Sequence, residues 1–112
     1  MASGTLRPEE VGVYRKGDTI DLTGSLLVFL GANNIGYADI FLSKTIPNGL
    51  TPTASGITIS GCNGNGSTSA SATYRACARQ NSNVLRVSFN FSGATAYHPY
   101  QITMTAGTII FS

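Results

Sequence analysis

The sequence predicts an all-β domain, an antiparallel β-sandwich or jelly roll of about eight strands. Short runs of alternating apolar and polar side chains are separated by Gly, Asn and Pro, which is typical of strands and turns. Charged residues make up 11% of the chain and apolar residues 42%, and the many Thr, Val, Ile, Tyr and Phe side chains suit a pleated surface. The best helical window, "LRPEEVGVY", is opened by Pro8 and weakened by Gly12, so no helix is expected.

The length of 112 residues predicts a single domain. We expect residues 1–15 to form an N-terminal arm, native or left from cloning, that contains a short strand. Residues 16–112 then form one β-sandwich head domain. The N-terminus lacks the apolar core of a signal peptide, and no run of about 20 apolar residues that would span a bilayer is present.

The first strands are predicted from residues 11–14, a turn at residues 16–18 and a strand with Ile20 and Leu22 on one face. The segment "SLLVFLGA" is apolar on both faces. It predicts a central strand or a strand whose outer face meets another subunit.

The middle of the chain alternates clearly. "GYADIFLSK" places Ala38, Ile40 and Leu42 on one face, and a Pro/Asn-Gly loop at residues 47–52 precedes a strand with Ile57 and Ile59 inward. "ASATYRACAR" alternates Ala and Tyr against Ser, Thr, Arg and Cys, and "NVLRVSFNFS" predicts a core strand with Leu85, Val87, Phe89 and Phe91 on one face.

In the closing segment, the apolar residues change from one face of the predicted strand to the other. Ile102 and Met104 share one face, while the later apolar residues fall on the opposite one, with Gly107 between the two sets. A bulge at Gly107 would reset the register, but we favour an outward apolar stripe that a neighbouring chain buries, because the segment "SLLVFLGA" poses the same problem. The predicted oligomer interface consists of Leu27, Phe29, Ile109 and Phe111.

The chain is predicted not to be an enzyme. After Asp39 it contains no Asp or Glu, whereas glycoside hydrolysis usually needs two carboxyl groups about 5 to 10 Å apart. A Ser/His/Asp arrangement would have to use His98, the single histidine, and no "GxSxG" motif is present. No cofactor is expected, and the scattered basic residues argue against nucleic acid as a partner.

The two cysteines, Cys62 and Cys77, are predicted to be free thiols. If their segments form a hairpin, simple register places Cys62 opposite a residue near position 70, so the thiols would not face each other. Two cysteines without a nearby histidine also make a poor metal site.

Three runs of the sequence resemble the C-terminal head domains of tail-fibre and receptor-binding proteins from bacteriophages of Gram-positive bacteria. They are "KGDTIDLTG", "FLSKTIPNGLTPTASGITISG" and "NVLRVSFNFSGATAYHPYQITMTAGTIIFS", and the likeness extends over residues 16–112. The resemblance implies a virion protein, made in the host cytoplasm, with a commonly trimeric β-sandwich head that binds a host-surface glycan or protein. Cys62, Cys77 and the segment "TAYHPYQI" depart from the family pattern.

Aromatic and amide side chains are the first candidates for a receptor contact. Tyr97, His98 and Tyr100 surround the stiff Pro99 and would form a contact platform; alternatively, the two tyrosines cap the end of the sandwich and the histidine is only solvated. Asn63 and Asn65 would hydrogen-bond sugar hydroxyls, although turn geometry alone also explains the Asn-Gly repeats.

Arg75 and Arg79 are further candidates, because they share the polar face of one predicted strand. They would grip a phosphate-bearing surface polymer, or they would protect a sheet edge or pair across the sheet.

Two other functions remain open at this point. A secreted carbohydrate-binding or adhesin module predicts a monomer with a Cys62–Cys77 disulfide and a bound Ca²⁺. A purely structural capsid or fibre decoration domain predicts no receptor at all.

Overall fold

The structure is a computed structural model that describes residues 12–64 and 70–112. It confirms the all-β class: seven strands form one antiparallel sheet that curls into a half-barrel, and the described residues contain no helix. The strands are β1 (Thr19–Asp21), β2 (Gly24–Leu30), β3 (Ile35–Phe41), β4 (Pro52–Gly64), β5 (Ser71–Asn81), β6 (Val84–Ser92) and β7 (Pro99–Phe111).

Strand β7 organises one half of the sheet. Strands β1 and β2 lie end to end along one of its sides, with Ile20 opposite Ile109 and Leu26 opposite Ile102. Strand β4 pairs with the other side over almost the whole length of β7. Pro52 is the first residue of β4, a position where the missing backbone donor is tolerated.

The other half of the sheet contains β3, β6 and β5, in that order. It joins the first half through a short ladder, in which Phe29 pairs with Tyr37 and Leu30 pairs with Gly36. On the far side of the half-barrel, the amide of Ala70 donates a hydrogen bond to the carbonyl of Cys62 at 3.1 Å, so the β4 and β5 ends approach each other.

The hydrophobic core lies on the inner face of the curled sheet. Strand β6 confirms the predicted pattern, since all four of its alternating apolar side chains are buried. Strand β3 likewise buries Ala38 and Ile40 and exposes Tyr37 and Phe41. The largest fully buried side chains are Tyr100, Phe89, Phe111, Leu22, Leu26, Leu30, Ile46, Leu85, Ile102, Ile109, Val28 and Val87.

The prediction of an outward stripe at the end of the chain is wrong for Ile109 and Phe111. Both side chains are 0% exposed and belong to the chain's own core. The pairing of β7 with β4 shifts register opposite Met104 and Ala106, so the inward parity changes next to Gly107, and the bulge interpretation is the correct one.

Gly107 permits this bulge because the chain packs tightly around it. A Cβ atom at this position would lie 2.6 Å from Cδ1 of Ile57 and 3.1 Å from the carbonyl oxygen of Leu22. The Gly107 carbonyl itself accepts a hydrogen bond from the Leu22 amide at 2.9 Å. Strands β1 and β2 can therefore follow β7 through the change of register.

A second bulge changes the parity of β5. Tyr74 pairs with Phe89, but the next pair is Ala76 with Ser88. Beyond this bulge Cys77 packs against the core, whereas Ala78 is exposed. The expected inward row of small side chains therefore ends at the bulge.

The described N-terminal segment closes one end of the half-barrel. The predicted strand at residues 11–14 is limited, within the described residues, to a parallel bridge between Val13 and Thr45. The ring of Tyr14 stacks on Phe111 with centroids 4.4 Å apart, and the Gly17 amide donates to the Phe111 carbonyl at 2.7 Å.

We predict that Gly36→Ala destabilises the domain by about 1 to 3 kcal/mol, the usual cost of overpacking a core. A Cβ at Gly36 would lie 2.6 Å from Cγ1 of Val28 and 2.7 Å from Cε1 of Phe91. Gly31→Ala in the same hairpin is the control, because its Cβ would meet only the Ile35 carbonyl oxygen, at 3.7 Å. Urea unfolding measures both variants, and equal midpoints would contradict the packing described here.

Candidate functional site

Three connections meet at one end of the half-barrel, which we call the loop end. They are residues 31–34 between β2 and β3, residues 93–98 between β6 and β7, and the β4–β5 connection, described up to Gly64 and from Ala70. The strand register brings them together, since Gly64 pairs with Tyr100 and Ser71 pairs with Ser92. Phe29, at the end of β2, pairs with Pro99 at the start of β7.

The opposite end, which we call the base, holds the described N-terminal segment. There the Thr45 amide donates to the Gly12 carbonyl, and the backbones of Thr51 and Ser112 exchange two hydrogen bonds of 2.8 and 3.0 Å. Because the strands of β4 and β7 run the full 13 residues between the two ends, the loop end and the base are well separated along a molecule 41 Å long.

Tyr97 is the most prominent side chain of the loop end. Its ring is 70% exposed, although its backbone has a positive φ of 64°, a left-handed conformation that is unusual for a bulky residue. Two main-chain hydrogen bonds fix this conformation: the Tyr97 amide donates to the Leu30 carbonyl at 3.0 Å, and the Leu30 amide donates to the His98 carbonyl at 3.3 Å.

His98 is also exposed, so the structure brings Tyr97 and His98 together on the surface beside the 31–34 connection. The two predicted contact residues therefore share one accessible patch.

Tyr100 cannot belong to a contact platform, and its prediction as a receptor contact is corrected. Its side chain is 1% exposed, and its ring packs 5.4 Å from that of Phe91. Its hydroxyl oxygen accepts a hydrogen bond from the Thr95 amide at 2.8 Å. Tyr100 thus holds the 93–98 connection from inside the core.

Exposed amide side chains also lie at the loop end. Asn63 is exposed and pairs with Gln101 near the end of β4, whereas Asn65 lies outside the described residues. Asn33 and Asn34 are exposed at the tip of the β2–β3 connection. The sequence allows the same two interpretations for them as for Asn63, a sugar contact or a turn residue, and Asn34 does adopt a positive φ of 59°. The hydrogen bond between Tyr97 and Leu30 places their connection at the same end as Tyr97.

The structure does not bring Arg75 or Arg79 to the loop end. Arg79 lies near the base, where its guanidinium donates to Oδ1 of Asn48 at 3.1 Å and to the carbonyl of Ile46 at 3.5 Å. Arg75 is exposed at the bulge in the middle of β5. The predicted shared grip on a phosphate polymer is therefore wrong for Arg79, which ties the 46–48 segment to β5.

A cluster of apolar side chains lies on the outer face of β2 and β3. We call it the outer apolar face; it consists of Leu27, Phe29, Tyr37 and Phe41. Leu27 and Phe29 are 55% and 61% exposed, as the predicted oligomer interface requires of them.

Next to this face, Arg86 makes two hydrogen bonds to the Asp39 carboxylate, at 2.9 and 3.2 Å. The guanidinium also lies 3.8 Å from the ring centroid of Tyr37. The hydrogen bond to Asp39 raises the pKa of Arg86, and the guanidinium and the carboxylate form a salt bridge.

Both cysteines are free, and the hairpin register keeps them apart. Cys62 lies beside Ala70. Cys77 is seven residues after Ala70 in the chain, which corresponds to roughly 20 Å at about 3.3 Å per strand residue. A disulfide requires Cα atoms within about 7 Å. Burial raises the pKa of Cys77 to about 11 and also raises that of Cys62, so both thiols are neutral at physiological pH.

An open cleft of about 230 Å³ lies between β4 and β5 on the loop-end half of the molecule. Its lining is uncharged and consists of Ile59, Ser60, Gly61, Cys62, Ala70, Ser71 and Ala72.

Over residues 12–64 and 70–112, no group of three or more His, Cys, Asp or Glu side chains is placed to hold a metal ion. The same residues contain no helix long and apolar enough to cross a membrane. Comparisons with protein-family models, curated proteins and solved structures gave no match.

We predict that Tyr97→Gly is more stable than Tyr97→Ala by roughly 0.5 to 1 kcal/mol. Glycine avoids the steric cost of a left-handed residue, and its greater freedom in the unfolded chain offsets part of that gain. Both variants lack the ring, so urea unfolding of the pair isolates the backbone effect. An alanine variant at least as stable as the glycine variant would contradict the left-handed conformation of residue 97.

Proposed function

We propose that this chain is a non-enzymatic phage virion domain, the sandwich-like head of a tail fibre or receptor-binding protein, which attaches to a host-surface ligand. The observation that supports it best is the difference between the two ends of the fold. The loop end presents Tyr97, His98 and three asparagines, while the described N-terminal segment lies at the base. A head held from its N-terminal side would thus direct its loops outward.

The carboxylates support binding over catalysis. Asp18 accepts a hydrogen bond from the Arg15 amide at 2.8 Å and so stabilises a turn. Asp39 is paired with Arg86, and Asp21 is an exposed residue of β1 near the base. The cleft between β4 and β5 is lined by none of these acids, whereas sugar hydrolysis usually needs two carboxyl groups that flank the bond.

The free thiols weigh against a secreted adhesin module. That function predicted a Cys62–Cys77 disulfide, which this hairpin register does not allow. A purely structural decoration domain would share the fold, but it gives no reason for an exposed tyrosine in a strained conformation at the loop end.

We propose further that the chain forms a homotrimer through the outer apolar face. Leu27 and Phe29 remain from the predicted interface, and Tyr37 and Phe41 extend it onto β3. Exposed apolar clusters of this kind are typical of protein contacts. The neighbouring Asp39–Arg86 pair is already compensated, so burial of the cluster next to it leaves no isolated charge.

We predict that the double variant Leu27→Thr, Phe29→Thr converts the trimer to monomer at micromolar concentration. Threonine keeps the strand propensity of β2 but removes most of the apolar area that association would bury. Ile110→Thr is the control, because Ile110 is a half-exposed apolar residue on β7 opposite Thr19, away from the face. Multi-angle light scattering decides, and a monomeric wild-type chain would refute the assembly.

We predict that Tyr97→Ala and Asn63→Ala each weaken retention of the chain on host cells by roughly 5- to 30-fold, the range expected for a contact worth about 1 to 2 kcal/mol. Asn83→Ala is the control, since Asn83 is an exposed asparagine between β5 and β6 at the base. Circular dichroism confirms folding of each variant. Retention that responds equally to loss of Asn83 would remove the loop end from the binding site.

A further inference from the structure

We infer that the loop end binds an uncharged, hydroxyl-rich glycan and not an anionic surface polymer. This inference rests on the proposed function and names the ligand class of the same site. It follows from the placement of charge along the molecule, which divides the half-barrel into a charged base and middle and an uncharged loop end.

Three uncharged stretches of sequence supply the loop end. Residues 22–38, 45–74 and 87–112 contain no Asp, Glu, Lys or Arg. They include the β2–β3 and β6–β7 connections and the described residues on both sides of the β4–β5 connection, up to Gly64 and from Ala70. Any ligand at this end therefore meets neutral side chains, apart from the imidazole of His98.

The charged side chains of the described residues lie elsewhere. At the base, Lys44 sits over the ring of Tyr14 at 5.4 Å, and Arg79 is bound to the 46–48 segment. In the middle of the sheet, Asp39 and Arg86 are paired. Arg75 lies at the β5 bulge.

These charges lie too far from the loop end to contribute to binding there. Asp39 is four residues from Ile35, the first residue of β3, which corresponds to about 13 Å along a strand. The Debye length at physiological ionic strength is about 8 Å. The strong charge-assisted hydrogen bonds to phosphate or carboxylate need a charged donor in direct contact, and the described residues of the loop end include no lysine or arginine.

The groups that remain suit sugar hydroxyls. An asparagine amide both donates and accepts hydrogen bonds, as a hydroxyl does, and Asn33, Asn34 and Asn63 are all exposed. The Tyr97 ring supplies an apolar surface for sugar C–H groups. Because main-chain hydrogen bonds already fix the backbone of Tyr97, ordering this residue on binding has a small entropic cost.

The uncharged surface continues from the loop end into the cleft between β4 and β5. Serine hydroxyls, methyl groups and the Cys62 thiol line that cleft, and its lining includes no Asp, Glu, Lys or Arg. A glycan longer than one sugar would find the same chemistry along this path.

The experiment measures binding of the purified full chain to two sets of immobilised probes at 50 and 500 mM NaCl. One set holds neutral oligosaccharides of glucose, galactose and N-acetylglucosamine; the other holds polyglycerol phosphate and oligogalacturonate. We expect binding within the neutral set, a less than twofold change of affinity with salt, and a loss of about fivefold or more in Tyr97→Ala. In parallel, host cells are treated with periodate or with protease before the retention assay, and periodate alone should abolish retention.

Two kinds of result overturn the inference while the proposed function survives. One is binding confined to the phosphate or uronate probes, or an affinity that falls more than tenfold with salt. The other is retention on cells that protease abolishes and periodate does not, which identifies a protein receptor. Absence of retention on any untreated host cells would instead remove the proposed function itself.

Discussion

The pairing of β7 with three other strands is the constraint on which the rest of the structure depends. β1 and β2 occupy one of its sides and β4 the other, so its thirteen residues are central along their whole length. The start of β7 sets the position of Tyr97 and His98 against Leu30, and its end, at Phe111, anchors Gly17 and the ring of Tyr14. The two ends of the molecule are thus defined by the two ends of a single strand.

This arrangement separates the residues that stabilise the fold from those of the proposed binding site. The side chains that hold the core point inward from the sheet, while those of the loop end point into solvent. Tyr100 connects the two, because its ring belongs to the core and its hydroxyl accepts from the Thr95 amide. The strain at Tyr97 is sustained by this rigid surrounding structure, as expected for a residue whose conformation is overdetermined by its neighbours.

Local alternation was enough to predict the all-β class and the faces of β3 and β6, where no bulge interrupts the register. It failed at β7 and β5, because one extra residue at a bulge reverses every side chain beyond it. Gly107 marked the first bulge, whereas nothing in the sequence around Arg75 marked the second. Ile109 and Phe111 were misplaced for this reason.

The candidate site was also predicted only in part, because several of its contacts join residues that are distant in the chain. Exposure of Tyr97, His98 and Asn63 agrees with their turn-like sequence, but the partner of the Tyr100 hydroxyl is a backbone amide that no pattern indicates. Arg79 binds Asn48, 31 residues away in the chain, and Tyr97 is hydrogen-bonded to Leu30, on a strand that is distant in the chain. Such distant pairings become visible only when the sheet is assembled.

The hydrogen bonds that fix the 97–98 segment join main-chain atoms. The Tyr97 amide donates to the Leu30 carbonyl, and the Leu30 amide donates to the His98 carbonyl. They do not use the side chains of Tyr97 and His98, so replacing either exposed side chain keeps these hydrogen bonds, although the left-handed backbone at position 97 favours glycine. Single substitutions at the exposed tip can therefore change the surface of the loop end without first requiring a compensatory change in the interior.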